Sequence, residues 1–134
     1  MATTSVEVTH TGERVANTPG LAFSRYFTGE TRNAEHDLRW ELRTASITDA
    51  KGNVIFEQPN VLVPAAWSQT ATNIVASKYF HGRLGTPERE HSVGQLVARV
   101  ADTIAEWGQD DGYFDGPESA ANFRMELAHL LLHQ

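Results

Sequence analysis

The spacing of apolar residues changes character twice along this chain. Residues 1–20 are polar, rich in Thr and Gly, and without period, which predicts a mobile N-terminal arm. "LAFSRYF" then places Leu21, Phe23, Arg25 and Phe27 on one face at period two, the signature of a short strand. "TGETRNAEHD" reads as a loop. "LRWELRTASIT" alternates more cleanly, with Leu38, Trp40 and Leu42 facing one way and Arg39, Glu41 and Arg43 the other. "DAKGN" supplies turn residues at Asp49, Gly52 and Asn53, and "VIFEQ" returns. The two runs predict a β-hairpin over about 38–58, ended by Pro59, with "VLVP" as one more short extended segment.

From Pro64 onward the period becomes that of a helix. A first helix over about 65–81 carries Trp67, Ala71, Ile74, Val75 and Tyr79 as its apolar stripe, and Gly82 is placed to end it in the left-handed conformation. A second, over about 87–107, starts from Thr86 as N-cap and Pro87 at the first helical position. Its stripe is Val93, Leu96, Val97, Val100, Ile104 and Trp107, and Gly108 stops it. A third, over about 117–134, starts at Gly116-Pro117 and buries Phe123, Leu127, Leu130 and Leu131. The fold class is therefore mainly α: a three-helix domain preceded by a short β-hairpin. The organisation is an arm, 1–20, and one domain, 21–134, without internal repeats. The last helix runs apolar to Gln134 with no cap or polar tail, so the expectation is a segment of something longer.

The 134 residues suffice for one domain with an ordinary core, and 40% hydrophobic against 21% charged side chains marks a globular chain. Seventeen acidic and eleven basic side chains give a net charge of −6. That balance argues against non-specific binding to nucleic acid or to an anionic membrane. No apolar run approaches the roughly 20 residues a membrane span needs, and the N-terminus lacks the pattern of a signal peptide. A cytoplasmic location is the expectation. There is no cysteine, hence no disulfide, thiolate ligand or thiol nucleophile in this chain.

"SKYFHGRLGTPERE", Ser77 to Glu90, gathers a lysine, two arginines, a histidine, two aromatics and two glycines. Lys78, Arg83 and Arg89 form a candidate anion site around a helix N-terminus. Against it, Glu88 and Glu90 occupy the same field, and the stretch is also fully accounted for as a corner between two helices. "ELAHLLLH" sets Glu126, His129 and His133 at i, i+3 and i+7. A Glu-x-x-His pair serves di-iron bundles only with a second such pair and two further carboxylates. Beside a leucine face, one glutamate with two histidines reads as a polar helix edge, and no metal site is expected. Asp110, Asp111 and Asp115 in "EWGQDDGYFDG" lack the spacing of a calcium loop and read as a solvated connection. "VGQLVARVADTIAEW" would serve as a partner-binding helix, but packing inside its own domain is the more economical reading. No nucleophile elbow, phosphate loop or dinucleotide fingerprint occurs.

The stretch "NVIFEQPNVLVPAAWSQTATNIVASKYFHGRLGTPEREHSVGQLVARVADTIAEWG", with the later "YF" and "ELAHLLLHQ", resembles the N-terminal region of adenosylcobalamin-dependent, class II ribonucleotide reductases. The arrangement SKYF-x-G-x-x-GTP-x-RE-x-S-x-x-QL is its most specific part, and "LAFSRYFT", "WELRTASI" and "VIFEQ" match the family's lead-in. The likeness runs from Leu21 to Gln134. The resemblance implies a part of an oxidoreductase that makes deoxyribonucleotides for DNA synthesis by radical chemistry. It implies adenosylcobalamin in the full enzyme, with none bound by this chain. The cysteines of that chemistry sit on an α/β barrel beyond Gln134, so no catalytic residue carries over. This chain would buttress that barrel, of its own or a companion chain, and be inactive alone. The rival readings are a free-standing interaction or regulatory module with the same fold, and a small histidine metalloprotein. Partly uncovered leucines on the last helix would also favour a weak homodimer.

Overall fold

The computed structural model describes residues 20–30, 32–35 and 37–134. The arm expected at 1–20 lies outside these residues except for Gly20. Two antiparallel strands, β1 (Trp40–Thr48) and β2 (Val54–Pro64), are followed by helices α1 (Gln69–Lys78), α2 (Val93–Asp110) and α3 (Pro117–His133). The hairpin followed by three helices is the architecture that the apolar pattern predicts.

Asp49 makes the hairpin turn. Its carboxylate accepts from the N–H groups of Lys51 and Asn53 at 2.8 and 2.9 Å, and Gly52 takes a φ of 89°. The hairpin does not end at Pro59. Arg43 pairs with Val61 and Ala45 with Gln58, so Thr44 alone faces both Pro59 and Asn60. This is a bulge, a place in a ladder where a residue without an N–H costs no hydrogen bond. Asn60 takes the left-handed conformation there, φ 58°, and the strand resumes as far as Pro64.

On β1 the fully buried side chain is Ala45, while Leu38 and Trp40, from the face expected inside, are only partly buried. Ala45, Val61 and Val63 are fully buried, whereas Leu42, on the Leu38–Trp40–Leu42 face, is 64% exposed. The small Ala45 lets α1 lie close over the sheet. Asn73 of α1 then accepts from the Ser46 N–H at 3.0 Å, and Gln69 donates to the Thr44 carbonyl at 2.9 Å. The otherwise open edge of β1 is thus paired by side chains. Ala76 from α1, Val93, Val97 and Ala101 from α2, and Ala128 and Leu132 from α3 complete the core.

Several helix boundaries differ from expectation. α1 begins not at Pro64, which still pairs with Trp40, but after Ser68, whose hydroxyl accepts from the Ala71 N–H. Its buried side chains are Thr72 and Ala76, while Ile74 and Tyr79 lie outside. It ends at Lys78, four residues before Gly82. α2 begins not at Thr86-Pro87 but after Ser92, where Ser92 and Gln95 form a reciprocal capping box. The Thr86 hydroxyl donates to the Arg83 carbonyl instead of accepting from a helix N–H, so no helix nucleates there. The buried face of α2 is Val93, Val97, Ala101, Ala105 and Gly108, with Ile104 and Trp107 exposed.

Gly108 does not stop α2. It lies within the helix because Phe114 packs on it: a Cβ there would meet the Phe114 ring at 2.6 Å. The chain reverses just beyond, at Gly112 with φ 74°. α3 starts at Gly116-Pro117 as its sequence predicts. Its fully buried apolar side is Ala120, Ala128 and Leu132; of the expected face, Leu127 packs against the core and Phe123 is partly buried, while Leu130 and Leu131 are exposed. Alanines on both partners bring α2 and α3 close, the most extensive helix pairing of the domain.

"LAFSRYF" forms no strand beyond one isolated bridge between Leu21 and Phe114. The segment runs along α3 instead, and helix side chains satisfy its backbone. Ser119 accepts from the Phe23 N–H at 3.0 Å, and Asn122 donates to the Phe23 carbonyl at 2.7 Å. Period two appears in the sequence, but the partner offered is a helix, so no ladder forms. Among the described residues, no helix is long and apolar enough to cross a membrane.

Candidate functional site

Two polar clusters sit where chemistry was sought. The first is the corner from Tyr79 to His91, between α1 and α2. Arg89 occupies its centre. The guanidinium lies between the rings of Phe56 and Phe80, at 5.9 and 5.7 Å from their centroids. It donates to the Ala76 carbonyl at 2.6 Å, to those of Phe80 and Gly82 at 3.0 Å each, and to Gln58 Oε1 at 3.0 Å. Ala76 is in the last turn of α1, so Arg89 is a cation placed at the negative end of that helix.

Gly82 makes this approach feasible. Its φ is 88°, and a Cβ would come within 2.6 Å of Arg89 Cα and closer still to the Glu88 carbonyl. Both sterics and backbone conformation thus favour glycine here. Glu90 seals the corner from the other side. Its carboxylate accepts from the His81 N–H at 2.7 Å and from Arg99 of α2 at 2.9 and 3.1 Å. Burial pushes the Glu90 carboxyl up, but Arg99 and the His81 N–H outweigh it and hold the group below its ordinary value. Arg99 also donates to the Tyr79 carbonyl.

The three candidate anion ligands are therefore not equivalent. Lys78 ends α1 and is exposed, and Arg83 is exposed in the loop. Arg89 points into the domain with its donors on carbonyl groups. The helix N-terminus on which all three were expected to converge begins instead at Ser92. Sequence reading missed Gln58 and Arg99, the distal members of this network. They lie 31 and 10 positions from Arg89, and only the folded corner brings them together.

The second cluster is on α3. The Glu126 carboxylate accepts from the N–H of Tyr26, from that of Phe27 at 2.9 Å and from that of Thr28 at 3.0 Å, and from the Thr28 hydroxyl at 3.1 Å. It is a buried anion fed by three consecutive backbone donors. Burial raises its pKa, but these donors together lower it more, so the carboxyl sits below its usual range. His129 stacks on Phe27 at 4.6 Å and on His133 at 4.0 Å. Burial, and then the neighbouring His133, push the His129 pKa down. Glu126 and His129 thus serve the docking of residues 23–28. Among the described residues, no three His, Asp or Glu side chains are grouped to hold a metal ion.

Two clefts accompany these clusters. One, about 620 Å³, lies over the outer face of the hairpin and is walled by Leu38, Trp40, Leu62, Gly94 and Ala98. The other, about 890 Å³, lies at the start of α3 and is polar, with Arg25, Glu30, Asp115 and Glu118 on its walls. The acidic groups outnumber the one arginine, which disfavours an anionic ligand there.

The family model for class II vitamin B12-dependent ribonucleotide reductase matches residues 41–134. A vitamin B12-dependent ribonucleotide reductase of Rhodopirellula baltica is 50% identical over 117 residues, covering 86% of this chain. One of Streptomyces coelicolor is 42% identical over 123 residues, covering 91%. One of Bradyrhizobium diazoefficiens is 32% identical over 140 residues, covering 80%. The chain spans 11–12% of the length of these relatives.

Proposed function

Since this chain belongs to the family of class II, vitamin B12-dependent ribonucleotide reductases, as their N-terminal region, we propose that it is a supporting domain of such an enzyme and performs no chemistry alone. The whole enzyme would reduce ribonucleotides to deoxyribonucleotides. Cobalamin would supply the radical, at residues outside the span of this chain, and we assign it no residue here. The observation that carries the reading is where the polar groups are spent. Arg89 and Glu126, the charged side chains at the centres of the two clusters, are both turned inward onto backbone groups of this same domain. Together with the lack of any cysteine, that leaves the chain without the groups such a reduction needs. The corner at 79–91 is on this reading a structural joint, and Lys78, Arg83 and Arg89 receive no ligand.

The partner is the remainder of the reductase polypeptide. The test is activity with and without it. The pure 134-residue chain, given adenosylcobalamin, a ribonucleotide and a dithiol, should yield no deoxynucleotide. The Rhodopirellula reductase with its matched region exchanged for this chain should yield it. Turnover by the isolated chain would overturn the reading, and so would a reductase that loses nothing when this region is deleted.

A further inference from the structure

The connection from α2 to α3, "DDGYFDG", holds a reactivity that its role as a solvated linker leaves unused. Asp111 and Asp115 are the only aspartates or asparagines of the chain followed by glycine. In an Asp-Gly pair the glycine nitrogen, unhindered by a side chain, can attack the aspartate Cγ. Local structure decides whether it does, and the two pairs differ. Ring closure needs that nitrogen on the Cβ side of the aspartate. At Asp111 the backbone has φ −88° and ψ 2°, which carries the Gly112 nitrogen away from the side chain. Gly112 is also fixed, its N–H donating to the Gln109 carbonyl at 3.2 Å. No such bond holds the second pair. Asp115 is exposed, and the Gly116 N–H has no acceptor among the described residues. Gly116 is extended, with open space where a Cβ would lie. The Ser119 hydroxyl donates to Asp115 Oδ1 at 2.5 Å, which draws charge from the carboxyl and assists departure of that oxygen.

We propose that Asp115–Gly116 is a site of spontaneous isoaspartyl formation, and that conversion there loosens the attachment of residues 21–23. The Gly116 nitrogen bonds to Asp115 Cγ and loses its proton. One carboxyl oxygen departs as water with that proton and the carboxyl's own. Water then opens the cyclic imide at the main-chain carbonyl, so the peptide continues through the former side chain. The water released balances the water taken up, and no oxidant or reductant is needed. The product has one extra main-chain atom between Asp115 Cα and the Gly116 nitrogen. That junction lies between the two anchors of residues 21–23. Leu21 bonds before it, its N–H to the Tyr113 carbonyl at 2.7 Å and its carbonyl to the Asp115 N–H at 3.0 Å. Phe23 bonds after it, to Ser119 and Asn122. Gly20 leaves no slack before the junction, since a Cβ there would collide with the Phe114 carbonyl. A longer chain between the anchors cannot meet both with the present geometry.

Ageing the full 134-residue chain in warm neutral buffer tests this. A protein carboxyl methyltransferase with labelled S-adenosylmethionine marks the isoaspartyl residues formed. Tryptic cleavage after Arg99 and Arg124 releases both Asp-Gly pairs in one peptide, whose fragments separate position 111 from 115. The expected result is label at 115 exceeding that at 111 by roughly fivefold, the cost of first opening one backbone hydrogen bond at Gly112. In urea the two positions should converge. Gly116→Ala should remove most of the label at 115, because the added methyl hinders the attacking nitrogen while the open space around it spares the fold. In the aged fraction, amide exchange at Leu21 and Phe23 should be faster than in fresh chain. Equal or greater label at 111 in the folded chain would overturn the site, and so would an absence of label at 115. Isoaspartate at 115 with exchange at Leu21 and Phe23 unchanged would overturn the loosening.

Discussion

Replacing Glu126 by glutamine isolates what a buried carboxylate does here without changing its shape. In the native domain both oxygens accept: one from the Tyr26 and Phe27 N–H groups, the other from the Thr28 N–H and hydroxyl. A glutamine has one acceptor oxygen, and its NH2 must face donors on the other side. The Thr28 hydroxyl can rotate to accept, but at least one backbone N–H is left facing another donor. Losing a hydrogen bond to a charged group costs about 1.5–3 kcal/mol. Because residues 21–28 can lift off α3 without the core opening, that cost should appear first as local exposure. It corresponds to a roughly ten- to hundredfold faster amide exchange at Tyr26, Phe27 and Thr28. The assay is native-state hydrogen exchange with denaturant unfolding alongside.

The pH dependence has a definite sign. The folded Glu126 pKa is depressed below its unfolded value near 4.5, so its contribution is present in full above that value. It is lost as pH falls through the folded pKa. The wild-type segment should therefore loosen in acid below pH 4.5, and Glu126→Gln should flatten that dependence. Unchanged exchange at residues 26–28 in the variant, or an acid response identical to wild type, would refute the reasoning.

Arg89→Lys should destabilise the domain by at least about 2 kcal/mol, because an ammonium cannot reach four acceptors at the fork geometry of a guanidinium. A denaturant midpoint equal to wild type would contradict the joint assigned to it. Ser92→Ala should cost about 1 kcal/mol as the loss of an N-cap. Thr86→Ala should cost less in the same urea titration, since Thr86 caps no helix; the reverse order would move the start of α2 back to Pro87.

Several signals that depend only on near neighbours in sequence were legible, though the Ser92–Gln95 capping box, equally local, was passed over for Thr86-Pro87. The Asp49–Asn53 turn, the change from period two to period 3.6, and the start of α3 at Gly116-Pro117 all follow from steric and hydrogen-bonding preferences within a few residues. So did the left-handed conformation of Gly82, although the helix it was thought to end stops four residues earlier. The likeness to the reductase family was also visible, because it resides in residue order alone.

What tertiary structure decided was the direction in which things face. Leu42 is more apolar than Ala45, yet Ala45 is inside and Leu42 outside, because α1 approaches closely only over a small side chain. Thr86-Pro87 has the chemistry of a helix start, but Ser92 and Gln95 cap each other a few residues on, and Arg89 and Glu90 tie the residues between them to α1, β2 and α2. Arg89 itself carries no mark in the sequence that separates an anion ligand from a clamp. The difference is made by Phe56, Gln58, Ala76 and Phe80, as many as 33 positions away. Glu126 was noticed for its spacing to two histidines, while its true partners are the backbone N–H groups of residues 26–28, about a hundred positions upstream. Backbone donors are present at every residue and so leave no trace in a pattern of side chains. Only the folded chain, by burying a carboxylate beside three of them, turns that general capacity into a particular site.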